Sequence, residues 1–362
     1  MLQGVCADLQ ITATQREKAV SRYRSIGEWL EGTATGILRG APVHIYPQGS
    51  LRIGTTNKPI NAAEFDLDIV AEIQVDARFI HPPISLLHAV EARLREHGTY
   101  SEMLVRKNRC IRVVYADEFH LDVLPACPDP ARTDGSIVVA DRAQRCWKPS
   151  NPNGYADWIE LRAEHLSTRL VKAMAPLPAV EPSESKPLLK KIIQLMKRHR
   201  DIEFAGTEHL APVSIVLTTL AGIHVSGGPS ILDMLEQTLV VIAANSPSDQ
   251  VLKVYNPTNT GELLSERWEN TRGSYEAFRE WTIAFIRKLR ELRAAVGLPA
   301  VIYKLVELFG ERPVYAARKA MIDTIEGERR LGRLGAGANG SLLISPVIAE
   351  RPAIVRNTFF GD

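Results

Sequence analysis

Between Phe65 and Ile73 apolar and acidic residues alternate, beginning Phe65-Asp66-Leu67-Asp68-Ile69. A period of two suits an extended strand with one buried face, so this segment commits the chain to a sheet. Asp66 and Asp68 then share one side of the strand, roughly 6.5 to 7 Å apart along the backbone. Partner strands are predicted at Val43 to Tyr46, Val105 to Ala116 and Glu118 to Leu124, the last two forming a hairpin about Ala116-Asp117.

Helical periodicity surrounds these strands. From Thr12, apolar residues recur at Val20, Tyr23, Ile26 and Leu30, which predicts a long amphipathic helix; Pro83 to His97 and Gly154 to Ala175 read the same way. Residues 176–187 carry four prolines and no periodicity, the composition of a connecting segment. Beyond them, helices are predicted over 188–201, 213–224, 230–244, 275–296, 300–309 and 314–330. The glycine-rich stretch Gly327 to Ser341 predicts a flexible tail.

The expected fold class is therefore α/β (α+β): a mixed-sheet lobe over 1–180 with a long N-terminal spine helix, a helical-bundle lobe over 181–330, and a tail over 331–362, with a cleft between the lobes. At 362 residues and 45% hydrophobic composition the chain has material for two cores. Its four cysteines, Cys6, Cys110, Cys127 and Cys146, lack the spacing of a zinc site and read as buried thiols. A net charge of +2 excludes a protein that coats nucleic acid. Neither a signal peptide nor a membrane span is readable, so a cytoplasmic location is expected.

Chemistry enters with His120-Leu121-Asp122-Val123, where one acid interrupts an apolar strand. Asp66, Asp68 and Asp122 together would suit divalent cations, since hard cations take oxygen ligands and Mg²⁺ leaves positions open for phosphate and water. Upstream lies Gln48-Gly49-Ser50: Gly49 lets a phosphate approach the backbone, while Ser50 offers a hydroxyl and an N–H. A helical turn beginning near Leu51 would add attraction for anions. No Walker loop is present. Lys186 to Arg200 contains six Lys or Arg and no acid. In that amphipathic helix Lys190, Lys191, Lys197 and Arg198 are predicted at accessible positions, and Lys190 is the candidate for neutralising a triphosphate.

In these segments, QGSLRIGT, EFDLDIV, HLDVLP and KPLLKKIIQLMKRHRD, the chain resembles the bacterial cGAS/DncV-like nucleotidyltransferases, or CD-NTases, of the polymerase-beta-like superfamily. NPNGYADW at Asn151 to Trp158 and VYNPTNTGELLSERW at Val254 to Trp268 extend the likeness over about residues 10 to 325. The resemblance implies that Asp66, Asp68 and Asp122 hold two Mg²⁺ ions, with Mn²⁺ able to substitute. It implies that Gln48, Gly49, Ser50 and Lys190 bind nucleoside triphosphates, ATP among them, and that Ser214 contacts a base or phosphate. The implied activity is a cyclic di- or trinucleotide synthase supplying a second messenger for CBASS anti-phage defence. CBASS accessory proteins acting on the C-terminal tail would be partners; a DNA activator and a membrane would not. The alternatives are a nucleotidyltransferase that modifies a small molecule, protein or RNA end, and a catalytically inert nucleotide-binding module.

Overall fold

The computed structural model describes residues 1–32, 36–60, 65–115, 119–164, 186–336 and 342–344. In chain order its elements are α1 (Leu2–Leu9), α2 (Ala13–Glu31), β1 (Val43–Pro47), α3 (Gly49–Arg52), β2 (Phe65–Ile73), α4 (Ile84–Arg95), β3 (Leu104–Arg106), β4 (Ile111–Tyr115), β5 (Phe119–Pro128), β6 (Ile137–Asp141), β7 (Cys146–Ser150) and α5 (Pro152–Glu164). There follow α6 (Leu188–Glu203), α7 (Ser214–His224), α8 (Ile231–Ala244), β8 (Tyr255–Asn256), β9 (Asn259–Leu263), α9 (Glu266–Asn270), α10 (Ser274–Ala294), α11 (Leu298–Phe309), α12 (Glu311–Arg330), β10 (Leu334–Ala336) and β11 (Leu342–Ile344).

The strand over Phe65–Ile73 lies at the heart of a seven-stranded mixed sheet ordered β1-β2-β5-β4-β3, with β6 paired to β5 and β7 to β6. β2 and β5 run parallel; the other pairs are antiparallel. Leu67, Ile69, Ala71 and Ile73 turn to one face, where they pack with Ile26 and Leu30 of α2 and Leu86, Leu87 and Val90 of α4. α2 begins on Thr12, whose hydroxyl accepts from the Gln15 backbone N–H while the Gln15 side chain accepts from the Thr12 N–H. Alternation leaves Asp66 and Asp68 on the opposite face, free of this core.

A second core joins α6, α7, α8, α10, α11 and α12. It also takes in Val5, Cys6 and Leu9 of α1 and Tyr155, Ala156 and Ile159 of α5, so both helices, expected with the sheet lobe, pack into the helical body. α6 runs through its middle, and every residue from Leu189 to His199 is buried. The four cations expected at accessible positions are thus enclosed. An axial helix has no solvated face; its long side chains instead reach polar partners, as when the Arg198 Nε donates to the Phe309 carbonyl at 2.9 Å.

Other expectations change as well. The strand expected from Val105 to Ala116 is two strands, β3 and β4, separated by the polar run Lys107-Asn108-Arg109. β6, β7 and the β8–β9 hairpin were not legible. α12 continues to Arg330 and is followed by the β10–β11 pair, so part of the expected tail is structured. The segment 176–187 lies outside the described residues up to 185, as do Ala116-Asp117, the end of the helix expected to reach Ala175, and the tail from 345. All four cysteines are free thiols. No helix among the described residues is long and apolar enough to cross a membrane.

Candidate active site

The turn after β1 and the acids of β2 are built as one unit. Gln48, extended at φ −131°, precedes α3, and its N–H donates to the Asp68 carbonyl at 2.9 Å. Gly49 follows at φ +62°, a region costly for residues with a Cβ. A Cβ there would also lie 2.5 Å from the Asp68 Oδ2. Glycine is therefore required twice, by conformation and by space. The result seats the phosphate-type turn directly against a carboxylate.

Parallel pairing brings in the third acid. Register sets Asp68 opposite Asp122 and Asp66 opposite His120, while Arg112 of β4 faces Asp122 from the far side. Arg112 donates from Nε and Nη2 to the two oxygens of Asp122, each at 2.7 Å, and its Nη2 lies 3.0 Å from the Asp66 Oδ1. Two of the three acids thus share one guanidinium, which sequence reasoning did not single out. Its signal was the cross-strand position beside Asp122, visible only once β4 is known to end at Tyr115.

Electrostatics follow the packing. Burial and the charges of Asp122 and Asp66 push the Asp68 carboxyl up to about 7, and partial desolvation raises Asp66, whose side chain is half exposed, against the pull of Arg112. The Arg112 guanidinium is held more firmly protonated by its bonds to Asp122. Among the described residues no three or more His, Cys, Asp or Glu side chains are arranged as a group that could hold a metal ion, and Arg112 occupies both oxygens of Asp122. The donor set nonetheless suits hard divalent cations: three carboxylates on adjoining strand positions, one of them reluctant to ionise without added positive charge.

Asp66 and Asp68 open onto a cleft of about 800 Å³ between the two cores, with Asp122 set behind them on β5 and outside its lining. Gln48, Gly49, Ser50, Asp66 and Asp68 line its sheet side; Lys197, Arg200, Ser214 and Thr218 line its helical side. Ser214 opens α7 and accepts from the Arg200 Nη1 at 2.8 Å. Lys190 is not on this wall. Its ammonium, 1% exposed, turns to Glu160 of α5 at 2.9 Å. The lysine that reaches the cleft from α6 is Lys197, seven residues on and hence nearly in line along the helix. Burial, with Arg200 nearby, lowers the Lys197 ammonium to about 8.

Asn256 and Glu262 of the β8–β9 hairpin also line the cleft. Glu262 accepts from the Ser150 hydroxyl at 3.0 Å and from the Asn256 side-chain amide at 2.7 Å, pinning the hairpin to the end of β7. Burial raises the Glu262 carboxyl.

Comparison with known proteins finds relatives along most of the chain. Residues 1–162 match the Second Messenger Oligonucleotide or Dinucleotide Synthetase domain. A c-di-GMP synthase of Roseivirga ehrenbergii is 30% identical over 362 residues, covering 98% of this chain and 94% of its own. The cyclic dinucleotide synthase CdnG of Bradyrhizobium diazoefficiens is 29% identical, covering 92% and 84%. The structure of the Bradyrhizobium CD-NTase CdnG in complex with GTP superposes with a TM-score of 0.72 at 26% identity, over 88% of this chain and 96% of that one. Vibrio cholerae DncV, a cyclic AMP-GMP synthase, shares the fold at a TM-score of 0.64 and 16% identity, over 85% of this chain and 94% of its own.

Proposed function

Because the chain belongs to the Second Messenger Oligonucleotide or Dinucleotide Synthetase family of bacterial CD-NTases, we propose that it joins two GTP molecules into cyclic di-GMP. It is a nucleotidyltransferase with the polymerase-beta-like CD-NTase fold and makes a cyclic oligonucleotide. The choice of guanine rests on the Roseivirga synthase and on the GTP bound by the Bradyrhizobium enzyme.

In this reading Gly49 and Ser50 receive the triphosphate of one GTP on the sheet side, and Lys197 meets it from the helical side in the role first given to Lys190. Arg200 and Ser214 line the same wall and contact phosphate or base. Asp66, Asp68 and Asp122 would hold two Mg²⁺ ions, for which Mn²⁺ substitutes; bound divalent cations acidify a ribose hydroxyl and neutralise phosphate charge. Arg112 aims Asp122 through its paired hydrogen bonds. The ribose oxygen of one GTP forms a bond to the α-phosphorus of the other as the α–β anhydride breaks and pyrophosphate departs; a second such transfer closes the ring. Cyclic di-GMP would serve as a second messenger in CBASS defence, with accessory proteins acting on the C-terminal tail and the enzyme working in the cytoplasm, where GTP is found.

The observation that supports this best is the close approach of the Gly49 turn to Asp68, which sets the backbone read here as gripping phosphate beside a carboxylate. The test is incubation with each NTP alone and with all four, in Mg²⁺ or Mn²⁺, followed by mass spectrometry. GTP alone should yield cyclic di-GMP and pyrophosphate. A product requiring ATP would replace the guanine assignment, and no cyclic product from any mixture would overturn the reading.

A further inference from the structure

Behind the Gly-Ser turn, residues 54–57 are tied to α6 and the residue leading into it by an unbroken series of bonds. The Gly54 carbonyl accepts from the Lys186 ammonium at 2.8 Å, the Thr55 carbonyl from the Lys197 ammonium at 2.9 Å, and the Thr56 carbonyl from the Gln194 amide at 3.0 Å. In return the Asn57 amide donates to the Gln194 backbone carbonyl at 2.9 Å. Three consecutive carbonyls of one lobe thus receive three side chains from the other. A buried loop must satisfy its carbonyls, and most do so within their own turn or with water. Using two desolvated ammonium groups and a buried amide is a costly solution, which points to a demand on position.

The series ends at the phosphate turn. The Thr56 hydroxyl lies 3.1 Å from the Ser50 hydroxyl, and the Thr55 N–H donates to the Ser50 carbonyl at 2.8 Å. Ser50, Thr55, Thr56 and Asn57 all line the cleft. Gln194 does not: it is fully buried behind them. Both ends of its side chain are engaged, the Nε2 with Thr56 and the Oε1 with Lys186 at 3.3 Å.

We propose that Gln194 is a positioning residue for nucleotide transfer, fixing Thr56 so that its hydroxyl holds Ser50 in register for the triphosphate. This rests on the reading of Ser50 as a phosphate-gripping group. Lys197 belongs to the same series but also faces the cleft, so its loss would mix positioning with direct binding. The Gln194 side chain meets the cleft lining at Thr56, while its contact with Asn57 is through the backbone and survives substitution, which makes it the informative member.

The experiment compares wild type with Gln194→Met, similar in length but unable to bond. KM for GTP should rise about tenfold while kcat changes less than about threefold, because the lost interaction serves ground state and transition state alike. Affinity for a non-hydrolysable GTP analogue should fall by the same factor. Thr56→Val, which leaves Gln194 and the core in place, should reproduce the defect if Gln194→Met folds poorly. In a Ser50→Ala background neither substitution should weaken analogue binding further, since the shared endpoint is already gone. Unchanged KM with a lowered urea midpoint would overturn the proposal and leave Gln194 a packing residue; additive losses with Ser50→Ala would do the same. If wild type fails to bind GTP, the guanine assignment falls instead, and the comparison is made with the nucleotide that binds.

Discussion

Gly49 is the position where one atom decides the site. Adding a Cβ places carbon 2.5 Å from the Asp68 Oδ2 and forces an alanine into φ +62°. Gly49→Ala should lower kcat/KM about 100-fold or more, because Asp68 or the turn must move by an ångström-scale distance, while global stability drops only about 1–2 kcal/mol. Circular dichroism melts beside steady-state kinetics check both parts. Lys197 supplies the pH dependence. Its ammonium sits at about 8 against an ordinary 10.5, so free enzyme loses the charge in mildly alkaline buffer. kcat/KM for GTP should fall above about pH 8 while kcat does not, since bound triphosphate restores the proton; Lys197→Arg should erase that alkaline limb. Stability runs the other way. Between about 8 and 10.5 the unfolded chain holds the proton that the folded one has released, so folding becomes more favourable as pH rises through that window. At this scale the meeting of the acids with the Gly-Ser turn was legible because strand alternation and a short turn bring those positions together. Lys190 and Lys197 were not separable, since they lie nearly in line along one helix and only the neighbours, Glu160 for one and the cleft for the other, tell them apart.

At the scale of elements, legibility followed length. β2 and helices such as α2, α6 and α10 repeat their period often enough to be read, whereas β8 has two residues and β9 five, too few for any period to show. Tertiary contact rather than local pattern makes that hairpin. Glu262 bridges Asn256 across the hairpin and Ser150 of β7, with Asn259 donating to the Ser150 carbonyl at 3.4 Å. Asn256→Ala would leave a half-buried carboxylate short of a donor. The expected cost is about 1–3 kcal/mol, read from urea denaturation, with a KM increase as this part of the cleft lining loosens. Ser150→Ala should cost about the same, and the double variant less than the sum, because both donors serve one carboxylate. Equal stability of Asn256→Ala and wild type would show that the hairpin is seated by its apolar contacts instead.

Across the whole molecule, the first helix of the chain links the far lobe to the cleft. α1 packs on α12 so closely that a Cβ on Gly4 would lie 2.8 Å from the Ala317 Cβ. The other end of α1 touches the cleft loop: the Lys58 N–H donates to the Leu9 carbonyl at 2.7 Å, and Asp8 lies 3.5 Å from the Lys58 ammonium and 3.4 Å from Arg312 of α12. Lys58 lines the cleft directly after the loop that Gln194 fixes. α1 is therefore a strut between α12 and the cleft, a role hidden in sequence because eight residues near a terminus give no sign of which lobe they join. Gly4→Val wedges the strut from its seat. Overpacking of this kind should cost about 1–3 kcal/mol in urea and, by tilting α1 at Leu9, raise KM for GTP as well. Gly327→Ala is the matched control on α12, since a Cβ there meets nothing within 4 Å. Exchanging a helical glycine for alanine should leave KM unchanged and stabilise by up to about 1 kcal/mol. If Gly4→Val lowers stability yet leaves KM at the wild-type value, α1 braces the helical core alone, and the link to the cleft through Lys58 transmits nothing.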